Sequence, residues 1–123
     1  MAATATITQT VVVSGLGNED NISLQFSPAA PTGEVHAVRQ IINATTFTPA
    51  ALDLGSVTAP LGIWLRAIDQ PVDIDTSFNS TFSKEITVHI GQATYFVPLA
   101  GNTVYVQNNT TGQQPTYEYV VIG

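Results

Sequence analysis

Short runs that alternate apolar and polar residues recur along this chain of 123 residues. Residues 4–13 show the pattern best, because threonine fills most even positions and apolar residues fill most odd ones. The apolar side of this run comprises Ala5, Ile7, Val11 and Val13. Since a period of two places successive side chains on opposite faces, the run predicts a half-buried β-strand.

The same alternation predicts further strands. They cover residues 21–27, 34–47, 51–55, 62–69, 84–90, 94–99, 103–107 and 116–122, with a short continuation at Val72 and Ile74. Gly, Pro and Asn residues separate these runs, as is typical of turns. A Gly-rich segment joins the first two runs and indicates a hairpin. Residues 76–83, rich in Ser, Asn and Phe, are predicted to form a projecting loop.

Two of the runs have features that bear on their place in the fold. In residues 34–47, the spacing of Val38, Ile41 and Ile42 would also fit a helix, but the adjacent isoleucines and the Thr-rich end favour a strand. Residues 62–69 are apolar on both faces. That pattern is typical of a strand in the centre of a sandwich.

Eight or nine strands joined mostly by short turns predict an all-β fold, an antiparallel jelly-roll or Greek-key β-sandwich. The length fits one domain, and no linker or internal repeat interrupts the chain. We therefore expect a single jelly-roll domain over residues 1–123. Residues 1–10 are expected to form its first strand or an N-terminal arm.

The charge balance restricts the partners. Charged residues make up 10% of the chain, the net charge is −6, and the only Lys or Arg residues are Arg39, Arg66 and Lys84. Three scattered cations cannot neutralise a phosphate backbone, so we expect no nucleic-acid binding. Anionic membrane surfaces are disfavoured for the same reason, and no run approaches the roughly 20 apolar residues of a membrane span. Such a low charge density favours burial of part of the surface in an assembly.

Reactive groups are scarce. The chain contains no cysteine, which excludes disulfides, thiolate nucleophiles and zinc–thiolate sites. It also lacks the G-x-S-x-G pattern of a hydrolase nucleophile elbow. We therefore predict that the protein is not an enzyme and holds no cofactor.

Two groups of side chains are candidates for metal ligands. Asp69, Asp73 and Asp75 could offer oxygen ligands to Ca²⁺, but an EF-hand pattern is absent, which favours solvated carboxylates near a sheet edge. His36 and His89 are the only histidines. Their neighbours are strand residues, which favours the solvent face of a sheet over a shared metal site. No metal site is predicted.

Five aromatic residues are candidates for an interface. They are Trp64, Tyr95, Tyr105, Tyr117 and Tyr119. Trp64 lies in the most apolar run, where it would either fill the core or anchor a subunit contact. The tyrosines of the last strands would fill the core with their hydroxyls at its rim, or form an aromatic face that binds sugars.

Several motifs, taken in order, resemble a family of small phage virion proteins. They are the Thr-rich start leading into Val13-Ser14-Gly15, then Gln40-Ile41-Ile42, Thr45-Thr46, Leu52-Asp53-Leu54-Gly55-Ser56-Val57, Ala59-Pro60-Leu61-Gly62, the strand at residues 63–68, Tyr95-Phe96-Val97-Pro98-Leu99, residues 103–106 and Tyr117-Glu118-Tyr119-Val120-Val121-Ile122. The chain departs from the family pattern at residues 66–69. Members of this family are jelly-roll proteins that decorate (cement) phage heads or form capsid-associated fibres.

The resemblance implies a non-enzymatic component of the virion. We expect a homotrimer on the capsid surface that binds the major capsid protein and stabilises the head. Two alternatives remain open: a tail-fibre or baseplate component that binds a host surface glycan, and a free carbohydrate-binding module. The second alternative would bind its glycan through Ca²⁺ held by Asp69, Asp73 and Asp75.

Overall fold

The computed structural model describes residues 3–15, 17, 20–27, 31–42, 44–98 and 103–123, and these residues form ten β-strands. The strands are β1 (Ile7–Val13), β2 (Asp20–Phe26), β3 (Glu34–Gln40), β4 (Ala50–Ala51), β5 (Gly62–Ala67), β6 (Val72–Phe78), β7 (Ile86–Val88), β8 (Ala93–Phe96), β9 (Thr103–Asn108) and β10 (Thr116–Ile122). All strand pairs are antiparallel. The predicted all-β antiparallel class is confirmed, with ten strands where eight or nine were expected. Within the described ranges, no helix is long and apolar enough to span a membrane.

The chain divides into two compact units, Met1–Thr32 (the hairpin unit) and Gly33–Gly123 (the body). The prediction of one domain over residues 1–123 stays a prediction. Residues 1–10 contribute the first part of β1, and Met1 and Ala2 of that proposed arm lie outside the described residues.

The hairpin unit pairs β1 with β2 as the Gly-rich segment predicted. Directly opposite residues share a face of the ladder, so Val11 lies beside Ile22, and Leu24 follows on the same side. These three side chains are exposed by 53%, 61% and 54%. The predicted half-burial of this strand is therefore wrong at Val11. The physical reason is that the described residues of this unit form one two-stranded sheet and supply no second layer of their own.

The body contains two four-stranded sheets, in the orders β3-β10-β5-β8 and β4-β9-β6-β7. Their facing side chains form one hydrophobic cluster, which is consistent with a β-sandwich. Its fully buried members include Ile63, Leu65, Val72, Ile74, Val104, Val106, Tyr119 and Val121. Each of these residues lies two positions from another member on the same strand, so the alternation seen in the sequence does select the core face.

The run predicted as a strand over residues 34–47 ends earlier, at Gln40. Beyond it, Ile41 and Ala44 turn into the core. Asn108, buried on β9, donates to Thr46 O and accepts from Thr48 N at 3.1 and 2.8 Å. A side chain about 60 residues away therefore satisfies this backbone, which local β-propensity cannot reveal.

Candidate interaction surface

The outer side of the β3-β10-β5-β8 sheet carries two rows of side chains that run across all four strands. The first row is His36, Val120, Trp64 and Tyr95, and the second is Val38, Glu118, Arg66 and Ala93. We call these eight residues the Trp64 face. Within each row, neighbours lie directly opposite one another across a ladder, which keeps their Cβ atoms about 5 Å apart.

Aromatic and apolar side chains dominate the first row. Trp64 and Tyr95 are cross-strand neighbours, and both are half-buried. In the second row, Val38 is 51% exposed. In the strand predicted to be buried on both faces, Ile63 and Leu65 of the inner side are fully buried, whereas Trp64 of the outer side is half-buried and Arg66 is exposed.

Gly62 makes room for the Tyr95 ring. A Cβ atom built on Gly62 would lie only 2.5 Å from Tyr95 Cζ and 2.8 Å from Cε2. Such separations are far shorter than van der Waals contact. The absence of a side chain at position 62 therefore leaves the space that the Tyr95 ring occupies on the Trp64 face.

A carboxylate bonded to two basic side chains lies in the second row. Arg66 Nε donates to Glu118 Oε1 at 2.5 Å, and His36 Nε2 lies 2.6 Å from Oε2. The bonds from His36 and then Arg66 hold the pKa of Glu118 below its ordinary value. The basic side chains remain 55% and 50% exposed, whereas that of Glu118 is 17% exposed. The outer parts of the imidazole and the guanidinium therefore stay available to a partner.

The sequence predicts His36 on a solvent face but does not single out Glu118 or Arg66. The signal was present in residues 116–122, where tyrosine and valine alternate with Glu118 and Val120. That alternation assigns Glu118 to the outer face. Its pairing with Arg66 depends on the register of β10 against β5, which only the structure reveals.

Two of the five aromatic candidates lie in the core. Tyr117 and Tyr119 are 4% and 0% exposed, and their ring centroids are 6.0 Å apart. The Tyr119 hydroxyl donates to Asp53 O at 2.9 Å. Burial, followed by the neighbouring Tyr119, raises the pKa of Tyr117 to about 12. Neither side chain is accessible to a partner of the folded body.

Tyr105 lies on the outer side of the other sheet. Its ring stacks on Phe78, with centroids 3.7 Å apart and planes inclined by 19°. Phe78 belongs to β6, which extends into the segment predicted as a loop over residues 76–83. Tyr105 is thus separated from Trp64 and Tyr95 by the thickness of the sandwich.

The three aspartates that are candidates for cation ligands each form hydrogen bonds to different donors. Asp69 accepts from Thr116 N at 2.7 Å and so joins the end of β5 to β10. Asp73 and Asp75 lie on β6, where they are 4% and 1% exposed. They are therefore not the solvated carboxylates that the sequence favoured.

Each buried aspartate has its own donors. Asp73 accepts from Thr87 Oγ1 at 2.7 Å and from Asn109 Nδ2 at 3.0 Å. Asp75 accepts from the backbone N–H groups of Ser77 and Ser83 at 2.9 and 2.8 Å. Among the described residues, no group of three or more His, Cys, Asp or Glu side chains could hold a metal ion. His89 is exposed and follows directly after β7.

Glu85 is the third acid of this group. We define the Asp75 face as Asp73, Asp75 and Glu85 together with the stacked rings of Phe78 and Tyr105. The Glu85 carboxylate accepts from Ser77 Oγ at 2.5 Å and from Thr76 Oγ1. These bonds lower the pKa of Glu85. The acids thereby hold the residues that follow β6 against that strand.

Comparison with known proteins gives no further assignment. No protein-family model, no curated protein sequence and no solved structure matches this chain.

Proposed function

We propose that this protein is a structural, non-enzymatic component of a bacteriophage virion. It decorates the outer capsid surface as a cement protein, binds the major capsid protein and stabilises the head. The observation that carries the proposal is the Trp64 face. Trp, Tyr and Arg are the residues that contribute most to protein interfaces, and Trp64, Tyr95 and Arg66 lie together on one accessible face.

We further propose that the body is a jelly roll. Successive strands from β3 to β10 alternate between the two sheets, except that β6 and β7 share one. Eight strands in two sheets with this alternation support the proposal, since jelly rolls of viral capsid proteins are eight-stranded double sheets.

The proposed assembly is a homotrimer on the capsid surface. The low charge of the chain and the exposed Val11, Ile22 and Leu24 of the hairpin unit support contacts with other chains. A protein that binds only the assembled shell stabilises that shell by mass action, and repetition over the lattice adds avidity.

Copy number in purified virions tests the role. Quantitative mass spectrometry should count this protein within a few-fold of the major capsid protein. A handful of copies per particle would contradict head decoration.

Binding of the purified protein to undecorated heads tests whether the Trp64 face contacts the capsid. Trp64→Ala should weaken that binding more than Phe78→Ala, which removes an aromatic ring from the opposite sheet.

The second candidate is a tail-fibre or baseplate component that binds a host surface glycan. The adjacent Trp64 and Tyr95 favour it, because aromatic rings beside hydrogen-bonding groups such as Arg66 and Glu118 suit a sugar. This candidate expects few copies per virion. It also expects the purified body to bind host-cell polysaccharide and to lose that binding in Trp64→Ala.

A further inference from the structure

The body leaves one long sheet edge unpaired. β3 lies at the end of the order β3-β10-β5-β8, and no described strand pairs with its other side. It has seven residues, whereas the other edge strands β4, β7 and β8 have two, three and four. A long edge offers a row of backbone donors and acceptors to another strand.

The backbone groups at this edge can be identified from the ladder with β10. Gly33 and Gly123 exchange both backbone hydrogen bonds, and Ile41 N donates to Pro115 O. Odd residues of β3 therefore direct their N–H and C=O groups toward β10, because the direction alternates along a strand. The groups of Glu34, His36, Val38 and Gln40 point to the open edge.

Two common protections of an edge strand, lysine and proline, are missing here. Natural edge strands use both to prevent pairing, and β3 contains neither. The Arg39 guanidinium donates to Val38 O at 3.3 Å, but a carbonyl oxygen has a second lone pair for an incoming N–H.

We propose that β3 pairs with β3 of a second copy of this chain, antiparallel about a two-fold axis at Ala37. This joins two four-stranded sheets into one continuous sheet. The inference goes beyond the proposed function, because it concerns how copies join and holds whatever else the protein binds.

Backbone geometry selects the register. In an antiparallel ladder, each hydrogen-bonded pair of residues needs backbone N–H and C=O groups that point to the open edge in both copies. Even residues must therefore lie opposite even residues. Only the register with Ala37 opposite Ala37 pairs the whole strand, with Glu34 opposite Gln40 and His36 opposite Val38. Four such pairs, each exchanging two bonds, give about eight backbone hydrogen bonds. A shift by two residues leaves one end of β3 unpaired.

The charges on β3 favour the same occupant. Glu34 lies at its start and Arg39 near its end. Antiparallel pairing of two copies brings the acidic end of one beside the basic end of the other, which gives a general attraction although Glu34 and Arg39 direct their side chains to opposite faces of the sheet. In the selected register no like charges lie directly opposite, which would be destabilising.

Disulfide trapping tests the register in the full chain. The natural sequence has no cysteine, so each variant carries a single thiol. In Ala37→Cys, the two copies would place their Cα atoms about 4.5 Å apart, within disulfide range. In the control Val35→Cys, on the same face of the same strand, they would be about 13 Å apart. Under mild oxidation, Ala37→Cys should form a linked dimer and Val35→Cys should not; linkage of both, or of neither, overturns the proposal.

Solution mass provides the second measurement. Val38→Pro removes an edge-directed N–H without removing a bond to β10, and edge strands tolerate proline at such positions. Its matched control is Ala93→Pro, which removes an N–H from the open edge of β8 in the same sheet. By light scattering at high concentration, the wild type and Ala93→Pro should have at least twice the mass of Val38→Pro. Equal masses for all three overturn the proposal.

The same light-scattering experiment distinguishes the homotrimer proposal from the β3 pairing proposal. A mass of three chains for Val38→Pro supports the homotrimer, and a mass of one chain contradicts it. The ratio between wild type and Val38→Pro tests the β3 pairing in either case.

Discussion

On the outer side of the β4-β9-β6-β7 sheet two aspartates are almost fully buried, whereas the outer side of the β3-β10-β5-β8 sheet keeps a tryptophan and a tyrosine half-exposed. Both faces carry carboxylates and aromatic rings. On the Asp75 face, the acids accept bonds from backbone and hydroxyl groups of nearby segments. On the Trp64 face, Glu118 bonds to two basic side chains that extend into solvent.

The difference separates polar groups that hold the fold together from polar groups that remain available. A buried acceptor with two backbone donors cannot be removed without leaving those donors unsatisfied. An exposed ion pair contributes little to stability. The Asp75 face should therefore determine stability, and the Trp64 face should determine binding.

The largest expected effect comes from Asp75. Asp75→Ala removes the acceptor of two backbone N–H groups and should lower the free energy of unfolding by about 3 kcal/mol. Urea unfolding measures the loss. The control is Asp53→Ala, because the exposed Asp53 carboxylate accepts one backbone bond, from Gly55 N, and its loss should cost about 1 kcal/mol or less. Equal losses in the two variants would contradict the structural role of the Asp75 face.

A substitution at Trp64 should affect binding more than stability. Trp64→Ala should weaken binding to undecorated heads by about tenfold or more, because buried interface tryptophans often contribute over 1 kcal/mol. Its free energy of unfolding should fall by only about 1–2 kcal/mol, since the ring is half-exposed in the free protein. Phe78→Ala is the matched control and should lower stability while leaving binding within about twofold. The reverse result would exchange the roles of the two faces.

The fold was largely predictable wherever one side of a strand faces the core. The alternation in residues 116–122 predicts β10 with its observed bounds, and the run that begins at Gly62 predicts the observed start of β5. The prediction failed where a distant side chain determines the backbone. Asn108 holds Thr46 and Thr48 out of a strand, and a local pattern contains no trace of that contact.

The candidate surface was only partly predictable, for a related reason. An aromatic residue in a strand gives no indication of which face is buried unless its neighbours alternate clearly. Tyr117 and Tyr119 alternate with Glu118 and Val120 and belong to the core. Trp64 lies in a run that is apolar on both sides, so its outward direction, and its alignment with Tyr95, required the strand register.

A substitution at Gly62 should affect the Trp64 face indirectly, and its expected effect is smaller. In Gly62→Ala the new methyl group would overlap the Tyr95 ring, which must then rotate away from its position beside Trp64. Binding to undecorated heads should fall several-fold, with about 1 kcal/mol lost from the free energy of unfolding. Gly33→Ala is the control, since its Cβ would lie at an ordinary 3.5 Å from Val57 Cγ2. If Gly62→Ala binds like the wild type, the position of the Tyr95 ring does not matter for binding.

The smallest effect concerns the pH dependence of stability, and it tests whether the bonds of Glu118 matter to the fold at all. The folded protein holds the pKa of Glu118 below its ordinary value of 4.5, so the unfolded chain binds that proton more readily. Its stabilising contribution is therefore complete above about pH 5.5 and is lost as the pH falls through the lowered pKa. The amide side chain of Glu118→Gln does not ionise, so this variant lacks that pH dependence. The difference in free energy of unfolding between wild type and variant should be constant near neutral pH and shrink below pH 4.5.

Because the bonded groups are exposed and salt screens them, the effect should also weaken in concentrated salt. A difference that stays constant down to pH 2.5 would mean that the bonds to His36 and Arg66 do not persist in solution, and the Trp64 face would then present these two side chains without a fixed orientation.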